Sequence, residues 1–313
     1  MGNTFYFAWE PALMHWLQAH MNAAAVGLAS FVTLFGEEIA MVVILGFIYW
    51  CYNKKMGIYL ATNFCMVGIL NPMIKNVFMR RRPYFDNPQV ACLKPVDSSA
   101  DLYDINAQGY SFPSGHSSNS AVVYGSIARF SGKRWVKITA LVITLAVGCS
   151  RFCLGVHYPT DVLCGWLLGL FGIFFFPWLQ SKFPHKWMFY LLMVVIALPG
   201  CFFCQTTDYY TGLGMMIGFF AGNLVEEKYV RFENTTHVGK ILLRLLFGGI
   251  IYFGLNILLK MPFDADFLAS ATAGAYAIRV VRYAINLFVI VAIYPMAFDK
   301  IGRKKSEAVT DLS

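Results

Sequence analysis

Three short polar clusters interrupt an otherwise apolar chain, and their residue types suit work on a phosphate group. Lys75 and Arg82 are seven residues apart, two turns of a helix ending at Pro83, so two cations should leave from nearly one face. Pro113, Ser114, Gly115 and His116 open the next apolar run. A capping serine there leaves free N–H groups suited to an anion, and an imidazole beside it can give a proton to a leaving oxygen. The third cluster is Ser150 and Arg151, followed by Gly155-Val156-His157-Tyr158-Pro159-Thr160-Asp161. Arg151 offers a planar fork matched to phosphate oxygens. His157 and Asp161 are four apart and share a face once a helix has begun. A carboxylate bonded to one ring nitrogen fixes the tautomer and leaves the other nitrogen basic. Each cluster alone has a structural explanation, as snorkelling cations, a simple cap or a buried His–Asp contact; such an explanation must cover all three at once.

The elements that must position them are membrane helices. The chain of 313 residues is 58% hydrophobic, 17% aromatic and 13% charged, against roughly a quarter charged in soluble domains. Apolar runs near the ~20 residues that cross a bilayer recur along it. The expected fold is an all-α polytopic bundle of about nine spans, at 33–51, 56–78, 113–131, 136–153, 159–178, 187–204, 211–225, 239–259 and 266–294. Before them, Phe5 to His20 mixes aromatic and polar residues in the manner of an interfacial helix. Basic residues mark cytoplasmic connections: Lys54-Lys55, Lys133 to Lys137, Lys182 to Lys186, Lys228 to Lys240, and Arg303 to Lys305. Spans 56–78 and 136–153 then end on the outer side and spans 113–131 and 159–178 begin there, so the three clusters can meet in one pocket. Arg80, Arg81 and Arg82 break the charge rule on that outer side. Arg80 and Arg81 are expected to turn away from the Arg82 face and attract anionic headgroups.

Several functions are excluded by the distribution of residues. A formal charge of +8 could suggest nucleic acid, but the basic residues sit between apolar runs and form no single face. The eight cysteines give neither a disulfide framework nor zinc spacing, and Cys201-Phe202-Phe203-Cys204 is read as packing. The first Lys or Arg is Lys54, so no cleavable signal is expected. Asn234-Thr235-Thr236 matches a glycosylation acceptor but falls on the cytoplasmic side. Glu37, Glu38, Arg279 and Arg282 stand within or beside spans, where they are expected to pair or to line a route to the pocket. The tail 303–313 is polar and expected to be loose. The sequence specifies no oligomeric state.

The clusters resemble the type 2 phosphatidic acid phosphatase superfamily. Its signatures match Lys75 with Arg82-Pro83, then Pro113 to His116, then Ser150-Arg151 with His157 and Asp161. The resemblance covers roughly 33–178. It implies in-line attack on phosphorus by His157, orientation of that ring by Asp161, and protonation of the leaving oxygen by His116. It also implies a phosphate cradle of Lys75, Arg82, Ser114, the Gly115 N–H and Arg151. Three fixed cations supply the positive charge that phosphoryl transfer requires, so no metal and no cofactor is expected.

The resulting expectation is a membrane phosphatase acting on a lipid phosphate monoester or diphosphate, such as phosphatidic acid, phosphatidylglycerol phosphate, polyprenyl diphosphate or a sphingoid phosphate. Its partners are the lipid substrate and the bilayer. Layout similar to the glucose-6-phosphatase and sphingosine-phosphate phosphatase branch leaves a sugar phosphatase or a lipid phosphotransferase as alternatives. A transporter or a lipid-binding scaffold is the non-enzymatic one. The expected divisions are an interfacial segment 1–32, a catalytic core 33–204, and additional spans with a cytoplasmic tail at 205–313. The site should face the non-cytoplasmic side of the plasma membrane, or the lumen of the endoplasmic reticulum.

Overall fold

A computed structural model describes residues 2–298; the basic cluster Arg303 to Lys305 and the tail 303–313 lie outside the described residues. Backbone N–H and C=O groups find no partners in lipid, so an apolar chain must satisfy them within helices. The α-helices are α1 Trp9–Ala19, α2 Ala23–Val32, α3 Glu38–Phe47, α4 Lys54–Phe78, α5 Pro83–Asp86, α6 Ile105–Gln108 and α7 Gly115–Ser131. They continue with α8 Arg134–Cys153, α9 Pro159–Gln180, α10 Lys186–Ala197, α11 Thr207–Val225, α12 Val238–Leu258, α13 Ala265–Ala269 and α14 Ala273–Phe288.

The chain is a helical membrane protein. Five helical segments are long and apolar enough to cross a bilayer, Lys54–Phe78, Arg134–Cys153, Pro159–Gln180, Val238–Leu258 and Ala273–Ala297, and a sixth is counted if the bent pair Trp9–Ala19 and Ala23–Gly36 forms one span. Every expected span contains a helix, but several are shorter than their apolar runs. Segment 33–51 opens with a tight turn at Thr33–Gly36 before α3 starts. Segment 187–204 leaves α-helix after Ala197, where Pro199 lacks the N–H to continue the ladder. Segment 266–294 is divided between α13 and α14, the latter capped by the Thr272 side chain on the Ala275 N–H. Helix α7 has 17 residues and buries Ser117, Ser118 and Ser120, so it packs by close approach instead of by bulk.

Two compact units divide the chain. The first comprises the residues up to Met41, Asn63–Lys182 and Ala197–Tyr209; the second comprises Val42–Thr62, Phe183–Ile196 and the described residues from Tyr210 onward. In the first, α7 and α9 pack tightly through glycine. A methyl group on Gly165 would lie 2.6 Å from the Ser114 carbonyl oxygen, and one on Gly169 would lie 2.5 Å from Ala121 Cβ. Small residues permit that approach, which replaces a hydrophobic driving force inside lipid. Asn63 and Asn71 of α4 donate to Ser126 and Ser118 of α7, each at 3.1 Å. In the second unit, Lys54 pairs with the buried Glu226 at 2.8 Å. Arg282 donates to Asn256 at 2.8 Å and Arg279 to Thr211 at 3.4 Å, so these two arginines are held by an amide and a hydroxyl. Glu37, in the first unit, pairs with Lys94 at 3.2 Å.

Candidate active site

All of the residues expected to act in catalysis or to hold the phosphate fall in the first unit, whereas Arg279 and Arg282 fall in the second. Lys75 lies in the last turn of α4. That helix stops at Phe78, and Arg82 is the extended residue before α5, with ψ 155°. The expected single helical face for Lys75 and Arg82 is therefore wrong: Met79 enters the left-handed region at φ 48°, which ends the helix and turns the chain. Arg82 nonetheless reaches the site, because carbonyl groups catch its guanidinium. Nε donates to Gln108 O at 2.8 Å, and Nη1 donates to Val156 O at 2.8 Å.

Those carbonyls belong to a folded outer loop. The buried Gln108 side chain accepts from the Val96 and Asp97 N–H groups and donates to the Asp97 carbonyl. Gly155 takes φ 78° with its Cα against the Ala91 carbonyl, a turn that favours glycine. It delivers Val156 and His157 to the interior, where His157 is 2% exposed.

The imidazole is oriented from both sides. Arg82 Nη1 lies 3.4 Å from Nε2, and a guanidinium only donates, so Nε2 carries the lone pair. Nδ1 lies 3.4 Å from Ser111 Oγ and 3.6 Å from Asp161 Oδ2. The second distance is too long for a hydrogen bond. Ser111 completes the link, since its hydroxyl donates to Asp161 Oδ2. Asp161 also accepts from the Tyr158 N–H at 2.8 Å, which ties α9's first turn to the residue next to His157. His157 itself precedes α9, so contact with Asp161 arises from the cap and not from a shared helical face. Burial holds the His157 imidazole well below the usual histidine range, reinforced by Arg82, Arg151 and Lys75. It is a neutral base at neutral pH.

Around it stand the other sequence-selected groups. Arg151 closes α8, donates to Thr33 Oγ1 at 2.6 Å, and keeps a buried Nε without a hydrogen-bond partner. Ser114 caps α7 and its N–H donates to the Asp161 carbonyl at 3.0 Å. Gly115 follows, and a Cβ there would stand 4.0 Å from Lys75 Nζ. Lys75, Arg82, Arg151 and His157 all act electrostatically on His116, in the first turn of α7. These cationic and imidazole groups are thus gathered at the helix ends, with a spare buried guanidinium donor and a helix N-terminus, an arrangement suited to a tetrahedral anion.

Sequence reasoning misplaced one residue and missed several. Arg80 does not face lipid headgroups; it is 2% exposed and donates to Asp161 Oδ1 at 2.6 Å and to Glu10 Oε2 at 2.9 Å. Two buried carboxylates without a cation between them would be costly, and Arg80 supplies that cation. Arg81 pairs with Asp86 at 2.6 Å. Ser111, Glu10, Thr33 and Asp208, whose carboxylate is 3.9 Å from Lys75 Nζ, were not selected. The three consecutive arginines were the one available signal, because an excess of charge on the outer side calls for buried partners.

Two family models match, "PAP2 superfamily" over residues 56–185 and "PAP2 superfamily phosphatase, transmembrane extension" over residues 210–306. An undecaprenyl-diphosphatase from Sulfolobus acidocaldarius is 30% identical over 51% of this chain and 73% of its own length. Phosphatidylglycerophosphatase B from Bacillus subtilis is 34% identical over 53% of this chain and 77% of its own length. A crystal structure of a transmembrane PAP2 type phosphatidylglycerolphosphate phosphatase from Bacillus subtilis aligns with a TM-score of 0.44 and 28% identity, covering 56% of this chain and 86% of that one. The chain is a membrane-embedded phosphatase belonging to the PAP2 superfamily.

Proposed function

We propose that this phosphatase hydrolyses a lipid phosphate monoester or diphosphate through a phosphohistidine on His157. The observation that carries the reading is the orientation of the His157 ring. Its Nδ1 faces Ser111, whose hydroxyl is held by Asp161, and its Nε2 lone pair faces Arg82 among further cations. Nε2 attacks phosphorus as the bond to the leaving oxygen breaks, and His116 gives that oxygen its proton. Water then attacks phosphorus, the N–P bond breaks, and His116 takes the proton back, regenerating the enzyme. Lys75, Arg82, Arg151, Ser114 and the Gly115 N–H hold the equatorial oxygens, where charge accumulates. These fixed cations take the electrostatic role of a metal, so the reading assigns no metal and no cofactor.

A lipid substrate is supported by the place of these groups at the ends of membrane helices and by the named activities of the relatives, a diphosphatase of undecaprenyl diphosphate and a phosphatidylglycerophosphatase. Loop charge supports a site on the non-cytoplasmic face of a plasma membrane or an organelle lumen, in a bundle of nine spans. Within it, 1–32 is an interfacial segment, 33–204 the catalytic core, and 205–313 additional spans with a short cytoplasmic tail. The test is phosphate release by detergent-purified protein from phosphatidic acid, phosphatidylglycerol phosphate, polyprenyl diphosphate, a sphingoid phosphate and glucose 6-phosphate, with chelator present. Turnover of a lipid phosphate supports the reading. Preference for glucose 6-phosphate replaces the lipid, transfer to an acceptor lipid makes the protein a phosphotransferase, and no release from any of them restores a transporter or scaffold.

A further inference from the structure

Helix α1 places Glu10 inside the catalytic unit, 0% exposed, although it is separated from the catalytic motifs by most of the first hundred residues. Every oxygen of its carboxylate is used. Oε1 accepts from the Thr160 N–H at 3.0 Å and from the Thr160 hydroxyl at 2.6 Å; Oε2 accepts from Arg80 Nη2 at 2.9 Å and from the Phe7 N–H at 2.8 Å. Arg80 is clamped in turn, with Nε on the Phe5 carbonyl at 2.7 Å and its guanidinium 3.9 Å above the Tyr158 ring. Its other end holds Asp161 Oδ1 at 2.6 Å.

An unpaired buried carboxylate is costly, and Asp161 needs a cation. A cation matched one to one would cancel the charge that Asp161 presents to His157. Two carboxylates on one guanidinium leave the group with one net negative charge, and Asp161 is the member facing the imidazole. We propose that Glu10 is a positioning residue acting through Arg80, which keeps the negative charge of Asp161 available to His157. This inference rests on the proposed role of His157.

Besides Asp161, the charged groups acting on the ring are cationic or imidazole, Lys75 from α4, Arg82 from the chain after it, His116 from α7 and Arg151 from α8; the carboxylates behind those cations are Asp208, 3.9 Å from Lys75 Nζ, and Glu37, paired with Lys94. Asp86, near Tyr158, is engaged by Arg81. The cluster of Glu10, Arg80 and Asp161 is therefore the carboxylate group in contact with the His157 ring, 3.6 Å from Nδ1, and its net charge should shift the acid limb of kcat/KM.

Three variants test this in purified, full-length enzyme. Glu10→Gln lets Arg80 cancel Asp161, so the acid limb moves to lower pH by about half a unit and kcat falls about ten-fold with KM little changed. Arg80→Gln leaves two carboxylates, and the limb moves to higher pH. The double variant Glu10→Gln/Arg80→Gln restores one net negative charge and returns the limb toward its wild-type position. A purely structural role would lower kcat in all three with the limb unmoved. That result, or shifts of the two single variants in the same direction, overturns the inference. Thermal melting identifies any variant that does not fold, and the others still decide. Near-normal turnover in Asp161→Asn would also overturn the inference, whereas near-normal turnover in a folded His157→Ala would instead refute the reading of His157 on which it rests.

Discussion

Replacing Gly165 by Ala tests whether close approach of α7 and α9 sets the catalytic geometry. The added methyl would sit 2.6 Å from the Ser114 carbonyl oxygen, 2.9 Å from Ser117 Cβ and 3.2 Å from the Ser118 nitrogen. Two of the three obstacles are backbone, so α9 must withdraw by roughly 1 Å to reach ordinary contact distance. The Ser114 N–H to Asp161 carbonyl bond, 3.0 Å long, would stretch beyond hydrogen-bonding range. Ser114 to His116 would then separate from His157 and Asp161. Overpacking of this kind destabilises by about 1–3 kcal/mol, and a 1 Å misplacement at a reacting centre lowers rate by about 10²-fold. Phosphate release by purified protein, with a thermal melt on the same sample, measures both. Gly68→Ala in α4 is the control, because a methyl there meets nothing within 4 Å. Gly165→Ala that folds and keeps kcat/KM within about two-fold of wild type, or an equal loss in Gly68→Ala, would refute the reasoning.

The buried His157 imidazole, held below the usual histidine range by burial and by Arg82, Arg151 and Lys75, stays unprotonated as pH falls through the ordinary value near 6.5. The pH profile of kcat/KM should accordingly keep its activity through that value and lose it only below, as the proton finally occupies Nε2. Arg151→Lys removes the fork that holds Thr33 at 2.6 Å and offers a free Nε, and should raise KM about ten-fold for a phosphate substrate, read from initial-rate kinetics. Asp208 lies 3.9 Å from Lys75 Nζ and is 46% exposed, so Asp208→Asn removes a weak competitor for that cation. Inhibition by inorganic phosphate should tighten by about two- to five-fold.

Much of the candidate site was legible because phosphoryl chemistry restricts residue types and because helix termini impose local spacing. Ser114 capping α7 and Asp161 in the first turn of α9 are events within four residues, and the apolar runs forced helices around them. Arg82 was selected for its sequence spacing, but its actual route depends on the chain leaving α4 at Met79 and on carbonyls from Gln108 and Val156. No local period encodes those contacts. Ser111 stands in a loop, and its contact with Asp161 spans fifty residues; Glu10 reaches Thr160 across 150. Such partners are fixed by tertiary packing. The breaks in the apolar runs were blurred for a related reason: hydropathy reports burial in lipid, whereas the turn at Thr33–Gly36 and the end of α10 depend on backbone hydrogen bonds.

The central claim is a covalent phosphate on His157 Nε2. Rapid quenching of enzyme mixed with a phosphate-labelled lipid substrate, followed by peptide mapping under alkaline conditions that preserve phosphohistidine, tests it most directly. Label is expected on His157, accumulating further in His116→Ala when the leaving group is activated, and absent in His157→Ala together with turnover. Label on another residue, or a folded His157→Ala that still releases phosphate near the wild-type rate, would contradict it.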